Sequence, residues 1–468
     1  MGLRDKLLSG FLWTGLGTIG NGIISLLVTV FLARLLTPED FALIALLTIF
    51  VSVSNIIVDS GFSQAIIRDD KVSETDLSSV FWFNLVLSFS FYVILFFSSN
   101  FIATFYNEPQ LINLSRVVFL VIIFNAFIII QNATLKRNLD FVTIEKSSVL
   151  GALLAGVISV LMAFTGFGIW ALVANMVLMP FFRGILLWTF SKWRPKLLFS
   201  FESIKKYFGF GGFLMLQGLV DVIMTNINSI LIGKVYTKAD LGYYSQGGKL
   251  NTYIVTPLEV VMDKVLYPVF SKLKNEPEKL KEGYRKTISI VLFIMFPVLM
   301  FVICNPESTI TFFFGEKWAP AAVYLQLISI LALFQLVHKA FMNVVLIKGK
   351  TKNLLYFAII KQTLRLIALL ITVRISVFAM AFGFCLSGII GSILYICLGM
   401  YYLKYNFIEI IKDNLKTIII TMLSLIVIYF TPLPFIIQTI IMVITYFIFS
   451  VLTKHQSLRE VLQLIKKK

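Results

Sequence analysis

The sequence is poor in almost everything a soluble enzyme uses. Only 14% of its 468 residues are charged, against roughly 25% in an ordinary soluble domain. It has two histidines and three cysteines. His338 and His455 are too few and too far apart for a metal site or a catalytic triad, and Cys304, Cys385 and Cys397 sit singly in apolar surroundings. No metal centre is expected from such spacing. There is no Gly-rich phosphate loop and no Walker motif, so no nucleotide and no other cofactor is expected, and ATP is excluded as the energy source. Acids are scarcer than bases, 24 Asp and Glu against 41 Lys and Arg, which gives a net charge of +17.

What the chain has instead is apolar length. It is 58% hydrophobic with a mean hydropathy of +0.90. Residues 11–32, 117–130 and 418–430 are among many apolar blocks, and most extend to the ~20 residues that cross a bilayer as a helix. Hydrocarbon offers the backbone no hydrogen bonds, so only helices and closed barrels span it. The short alternating segments of a barrel do not occur. The first apolar run exceeds the 7–15 residues of a cleavable signal and reads as a retained span. The expectation is an all-α polytopic membrane protein with about fourteen transmembrane helices. Their centres fall near residues 22, 52, 90, 123, 153, 178, 220, 254, 298, 332, 363, 390, 421 and 443.

Loop charge orients this map. With the N-terminus assigned to the cytoplasm, alternate loops collect about 30 Lys and Arg inside, Lys136 and Arg183 among them, and about 5 outside, a bias that follows the positive-inside rule. Both termini are then cytoplasmic. The net positive charge reflects topology, and no nucleic-acid partner is expected.

A short motif occurs twice. "RLLTPEDFALI" begins at Arg34, and "KVYTKADLGYY" begins at Lys234. Thr37 matches Thr237 and Asp40 matches Asp240, and both corners fall on the outer side ahead of an apolar run. A second echo pairs "FYNEPQ" from Phe105 with "FFGEKW" from Phe313, and Glu259 follows Asp59 at the same offset as the corners. Two six-helix bundles related as parallel repeats are expected, over residues 1–190 and 207–404. Residues 191–206 join them as a cytoplasmic interfacial linker, read as a surface helix with Phe199 and Phe201 on its apolar side. Residues 405–468 add two further transmembrane helices and a basic tail.

Four stretches carry a resemblance: "GEKWAPAAVYLQLISI" from Gly315, "LGYYSQGGKL" from Leu241, "YPVFSKLKNEPEKLKEGYRK" from Tyr267 and "DSGFSQAIIR" from Asp59. They resemble bacterial lipopolysaccharide-biosynthesis flippases, the O-antigen and colanic-acid type polysaccharide exporters of the multidrug/oligosaccharidyl-lipid/polysaccharide superfamily. The resemblance implies a MATE-like fold. It also implies a non-enzymatic flippase in the bacterial cytoplasmic (inner) membrane that turns an undecaprenyl-diphosphate-linked oligosaccharide from the inner to the outer leaflet. Its partners would be that lipid-linked oligosaccharide, membrane lipids, a coupling proton or sodium ion, and polysaccharide polymerase or export machinery.

Charges within spans are the candidate site, since each costs at least about 2.5–3.5 kcal/mol at the bilayer centre. Asp221, Lys249 and Arg365 fall near the midplane, and Lys361 lies one turn from Arg365 on the same face. Arg meets a diphosphate bidentately and Lys acts as a point charge. Lys361, Arg365, Lys249 and Arg116 are therefore the candidate diphosphate ligands, and Asp221 the candidate ion-coupling group. Lys249 and Asp221 read equally as a structural ion pair. Asp59, Glu259 and Asp263, near cytoplasmic helix ends, are an inner gate or local pairs, and Lys339 a snorkelling side chain. Asn21, Gln217, Asn226 and Asn228 are either interhelical partners or sugar ligands. An ion-coupled multidrug or small-molecule antiporter is the main alternative, but it needs a net acidic site. A membrane glycosyltransferase or polymerase needs an extramembrane catalytic loop. On this topology, cysteines placed at Lys238 and Lys317 of a cysteine-free protein should be labelled from outside intact cells. Cysteines at Lys279 and Lys350 should be labelled only after permeabilisation.

Overall fold

The computed structural model describes the backbone of residues 3–271, 273–430 and 433–466. The side chains of 3–12, 261, 263–269, 351, 461 and 463–466 lie outside the described set. Asp263, one of the expected gate residues, is therefore outside the described residues. Two compact units divide the chain, Met1–Ser245 and Gln246–Lys468.

The first unit contains α1 (Leu3–Leu35), α2 (Pro38–Asp59), α3 (Phe62–Arg68), α4 (Glu74–Phe97) and α5 (Ser99–Tyr106). It continues with α6 (Leu111–Val118), α7 (Leu120–Arg137), α8 (Phe141–Phe164), α9 (Trp170–Phe190) and α10 (Phe201–Val235). Helix α11 (Lys238–Ser271) begins in the first unit and ends in the second. The second unit goes on through α12 (Pro277–Cys304), α13 (Pro306–Phe314), a 3-10 turn (Glu316–Ala321), α14 (Ala322–Ile347) and α15 (Thr351–Thr372). It closes with α16 (Val377–Leu403), α17 (Phe407–Tyr429), α18 (Phe435–Leu452) and α19 (Gln456–Lys466).

All fourteen expected centres fall inside helices. Among the described residues, twelve helical stretches are long and apolar enough to cross a membrane, and the protein is a multi-pass membrane protein. The other two expected spans, α11 and α17, carry clustered charge, such as Glu409, Lys412, Asp413 and Lys416 on α17.

The repeated corner is a repeated capping box. In the first copy the Thr37 hydroxyl accepts from the Asp40 N–H and the Asp40 carboxylate accepts from the Thr37 N–H, at 3.4 and 3.0 Å. In the second, Thr237 and Asp240 make the same exchange at 3.2 Å each way. Each box satisfies helix N–H groups that have no partner within the helix. The second echo is structural too. Helices α5 and α13 are short, and each ends on a residue of positive φ, Asn107 (φ 57°) or Gly315 (φ 97°). Trp318, three residues past Gly315, is fully buried and packs edge-on against Phe314.

Within the first unit the second corner lies against the first. The backbone of Gly242 approaches Pro38 so closely that a Cβ would stand 2.1 Å from the Pro38 carbonyl oxygen. Beside it Lys238 pairs with Glu108 at 2.8 Å, and the Lys234 ammonium donates to the Phe105 carbonyl.

The expected surface helix over residues 191–206 is not there. Residues 191–200 are irregular, and 201–206 are the first turns of α10. The reason is local. Pro195 disfavours helix at and before its position, and α4 and α7 supply the hydrogen bonds a helix would have made for itself. The fully buried hydroxyls of Ser78 and Ser79 accept from the N–H groups of Lys196 and Ser200, at 3.0 and 2.8 Å. Trp82 Nε1 donates to the Lys196 carbonyl and Gln131 Nε2 to that of Trp193. Phe199 and Phe201 keep their rings exposed, stacked edge to face, as an interfacial segment requires. At its far end the Lys206 ammonium contacts Asp69 at 2.6 Å and Asp76 at 3.5 Å. That hydrogen bond from Lys206, with one from the Lys71 N–H, lowers the Asp69 pKa to about 2. A depressed carboxylate stabilises the fold above its unfolded value of about 4, and the contribution is lost as pH falls towards 2.

Gly242→Val should destabilise the protein by about 1–3 kcal/mol, since an inserted side chain forces the two corners apart. Thermal unfolding in detergent should show this as a lower melting temperature, with Ser245→Ala, one turn on and away from Pro38, close to wild type.

Candidate functional site

The first unit holds a polar cavity of about 310 Å³ set between α2, α7 and α9. Asn55, Asp59, Asn125, Asn132, Lys136 and Arg183 supply its polar lining. It forms because three apolar helices each direct short polar side chains to one side. Asn55 and Asp59 are one turn apart on α2, and Asn125, Asn132 and Lys136 follow α7 at helical spacing. Amide binds amide across the gap, Asn125 Nδ2 to Asn55 Oδ1 at 3.2 Å. Asp59 is held by Ser63, whose hydroxyl and N–H both donate to Oδ1.

Arg183 is the cation set deepest in this cavity wall. It lies on α9 about two turns from the helix end, with Nη2 3.4 Å from Asn132 Oδ1. Its Nε is buried and has no hydrogen-bond partner among the described residues. The compensating charge comes from Glu145 on α8, whose carboxylate lies over Gly17 of α1 where any larger residue would collide. A buried guanidinium with a donor to spare, beside amides that both donate and accept, can bind an anionic oxygen and neighbouring hydroxyls. Sequence reading had placed Arg183 and Lys136 in cytoplasmic loops. The apolar residues on both sides of Arg183 were the signal that it belongs to a span.

The expected site residues fall as follows. Lys361 and Arg365 do share one face of α15, and it is the face packed on α16. The Lys361 stem lies over Gly391, and the Arg365 guanidinium stacks 3.9 Å from the Phe384 ring centroid. Close by, the His338 ring stacks on Tyr395 at 4.4 Å. Arg116 on α6 is tucked against Phe96 and Ser99, at 4.7 and 3.2 Å, away from the cavity. Asp221 is exposed on α10 in the first unit, and Lys249 is exposed on α11 in the second. Glu259 pairs with Lys339 at 3.7 Å, the local pairing expected for a charge near a helix end. Asn21 donates to Ser148 and Asn228 to Tyr244, both interhelical, while Asn226 bonds its own helix at Val222 and Gln217 is exposed.

A family profile described as "Polysaccharide biosynthesis protein" matches residues 31–323. The chain belongs to the polysaccharide biosynthesis protein family. It is 27% identical over 422 residues to teichuronic acid biosynthesis protein TuaB of Bacillus subtilis (strain 168), covering 90% of this chain and 87% of TuaB. It is 26% identical over 414 residues to lipopolysaccharide biosynthesis protein WzxC of Escherichia coli (strain K12), covering 84% and 81%. Among solved structures the fold matches the inward closed conformation of lipid II flippase MurJ, with a TM-score of 0.73 at 17% identity, covering 94% of this chain and 98% of MurJ. An inward-facing multidrug resistance MATE family transporter of the MOP superfamily matches with a TM-score of 0.65 at 14% identity, covering 82% and 94%. The MATE-like fold expected from the sequence is therefore the fold of this family member.

Replacing Arg183 by Met should lower stability by about 1–3 kcal/mol, because Glu145 is left without its counter-charge. The double variant with Glu145→Gln should recover part of that loss. A thermal double-mutant cycle checks it, and the pair should show coupling where two independent sites would add.

Proposed function

We propose that this family member is a flippase that moves an undecaprenyl-diphosphate-linked oligosaccharide from the inner to the outer leaflet of the bacterial cytoplasmic membrane by alternating access. The carrying observation is the half-buried Arg183, whose buried Nε has no hydrogen-bond partner among the described residues, in a cavity lined by asparagines. Cations favour a diphosphate, and amides favour sugar hydroxyls. An aromatic-lined apolar cavity of about 520 Å³, bounded by Phe124, Phe127, Phe181 and Trp188, uses the same two helices, α7 and α9. It suits an isoprenoid chain, so one pair of helices offers matching surfaces to both ends of the substrate. The names of TuaB and WzxC agree with this reading, as does that of the lipid II flippase MurJ. A multidrug antiporter would call for a net acidic site, and the charges set into these spans are mainly basic.

In this account Lys361, Arg365 and Lys249 line the transport path in the second unit and Arg116 lies near the outer exit. Asp221 takes the coupling proton or sodium ion, and Asp59 and Glu259 take part in closing the inner side. Both termini face the cytoplasm, and a polysaccharide polymerase receives the product outside.

In a flippase-null strain the wild-type chain should restore surface polysaccharide. Lys361→Gln with Arg365→Gln should abolish export at unchanged protein level in the membrane, and Arg183→Gln should do the same. Near-normal export from both would count against the assignment. Asp221→Asn should export weakly and independently of the pH gradient. A normal rate with normal pH dependence would remove Asp221 from coupling.

A further inference from the structure

A polar cavity of the second unit has none of these residues in its lining. It measures about 660 Å³ and lies where the first turns of α12, α17 and α19 converge. Six cations line it: Arg285, Lys286, Lys412, Lys416, Lys454 and Arg459. Its acids are Glu282, Asp413 and Glu460. Two of those acids are already paired with cations. Asp413 accepts a two-pronged contact from Arg285 at 2.7 and 2.6 Å, and a third bond from the Tyr405 hydroxyl at 2.7 Å. Glu282 pairs with Lys286 at 2.8 Å. Glu460 accepts from Gln456. Lys412, Lys416, Lys454 and Arg459 are thus in excess around one cavity.

The frame that holds them together is rigid. His455 is 4% exposed at its floor. Its Nδ1 accepts from the Ser457 N–H at 3.2 Å, so its Nε2 carries the proton and donates to the Thr417 hydroxyl at 3.1 Å. That neutral ring ties the start of α19 to α17. Lys412 and Lys416 are one turn apart on α17, and the N-terminal end of α19, with its positive dipole, opens on the same space. Converging cations repel one another unless an anion lies between them. Leu415 on α17 precedes Lys416, and Val451 and Leu452 at the end of α18 lie two to three residues before Lys454; all three are exposed, so exposed apolar side chains adjoin the cavity's cations along the chain.

We propose that this cavity binds the phosphate group of an anionic lipid headgroup, separately from the transported substrate. The chemistry is that of a phosphate mono- or diester met by lysine and arginine, and a soluble phosphate compound would share it. The flanking aliphatic side chains favour the lipid, whose chains can lie along α17 and α18.

The test uses the full chain purified in detergent, with two triple variants that remove equal charge. K412Q/K416Q/K454Q removes three of the cavity's four excess cations; K348Q/K350Q/K352Q removes cations around the start of α15. Native mass spectrometry titrates phosphatidylglycerol against phosphatidylcholine. The expected result is a preference for phosphatidylglycerol that falls on the order of tenfold or more in the cavity triple and persists in the other. A second arm adds millimolar inorganic pyrophosphate to delipidated protein and reads the melting temperature. A rise lost only in the cavity triple, without any preference for phosphatidylglycerol, would assign the cavity to soluble phosphate and overturn the lipid assignment. Equal behaviour of the two triples in both arms would overturn the site altogether.

Discussion

Hydrocarbon forms no hydrogen bonds, and in this protein each polar atom within the membrane needs a partner supplied by the chain. The described backbone answers with helices and with caps at their ends. Thr37 and Thr237 close the starts of α2 and α11 through the same capping box. Where the chain leaves helix, between α9 and α10, side chains of α4 and α7 take over the donors and acceptors. The same requirement gathers the polar side chains of α2, α7 and α9 on one side of each helix, and this is why a cavity exists there.

The cavity is therefore a consequence of folding in lipid before it is a binding site. Arg183 would be costly facing acyl chains, at least about 2.5 kcal/mol at depth. Glu145 and Asn132 offset much of that cost while leaving Nε unsatisfied. A group that is neutralised but incompletely hydrogen-bonded gains more from an arriving anion than a fully paired one does. The stacked Arg365 and the Lys361 stem over Gly391 show a related arrangement in the second unit, where aromatic and aliphatic contacts carry the long side chains.

Much of the fold could be read from residue pattern because bilayer thickness imposes it. Apolar length placed all fourteen expected centres inside helices, and Thr-x-x-Asp at an offset of two hundred residues marked a corner that recurs in detail. The site was only partly legible. Lys361 and Arg365 share a face because helix periodicity dictates it. Arg183 and Lys136 were taken for loop cations, since the charge pattern that sets topology does not distinguish a helix end from the loop beyond it. The linker was misread for a different reason. Its apolar rings suit an interfacial helix, but Pro195 and the serine pair of α4 favour an irregular path, and the serines lie more than a hundred residues away in sequence. The Lys339–Glu259 pair was not legible either, because its two members belong to different helices.

The central claim is that this chain moves a lipid-linked oligosaccharide across a bilayer. Reconstitution into vesicles carrying a labelled undecaprenyl-diphosphate-linked oligosaccharide in the outer leaflet tests it most directly, with a membrane-impermeant glycosidase reporting how much label stays outside. The account predicts that label becomes protected over time in vesicles with the protein and stays accessible in vesicles without it. It also predicts no protection with Arg183→Gln. Equal accessibility with and without the wild-type protein would contradict it.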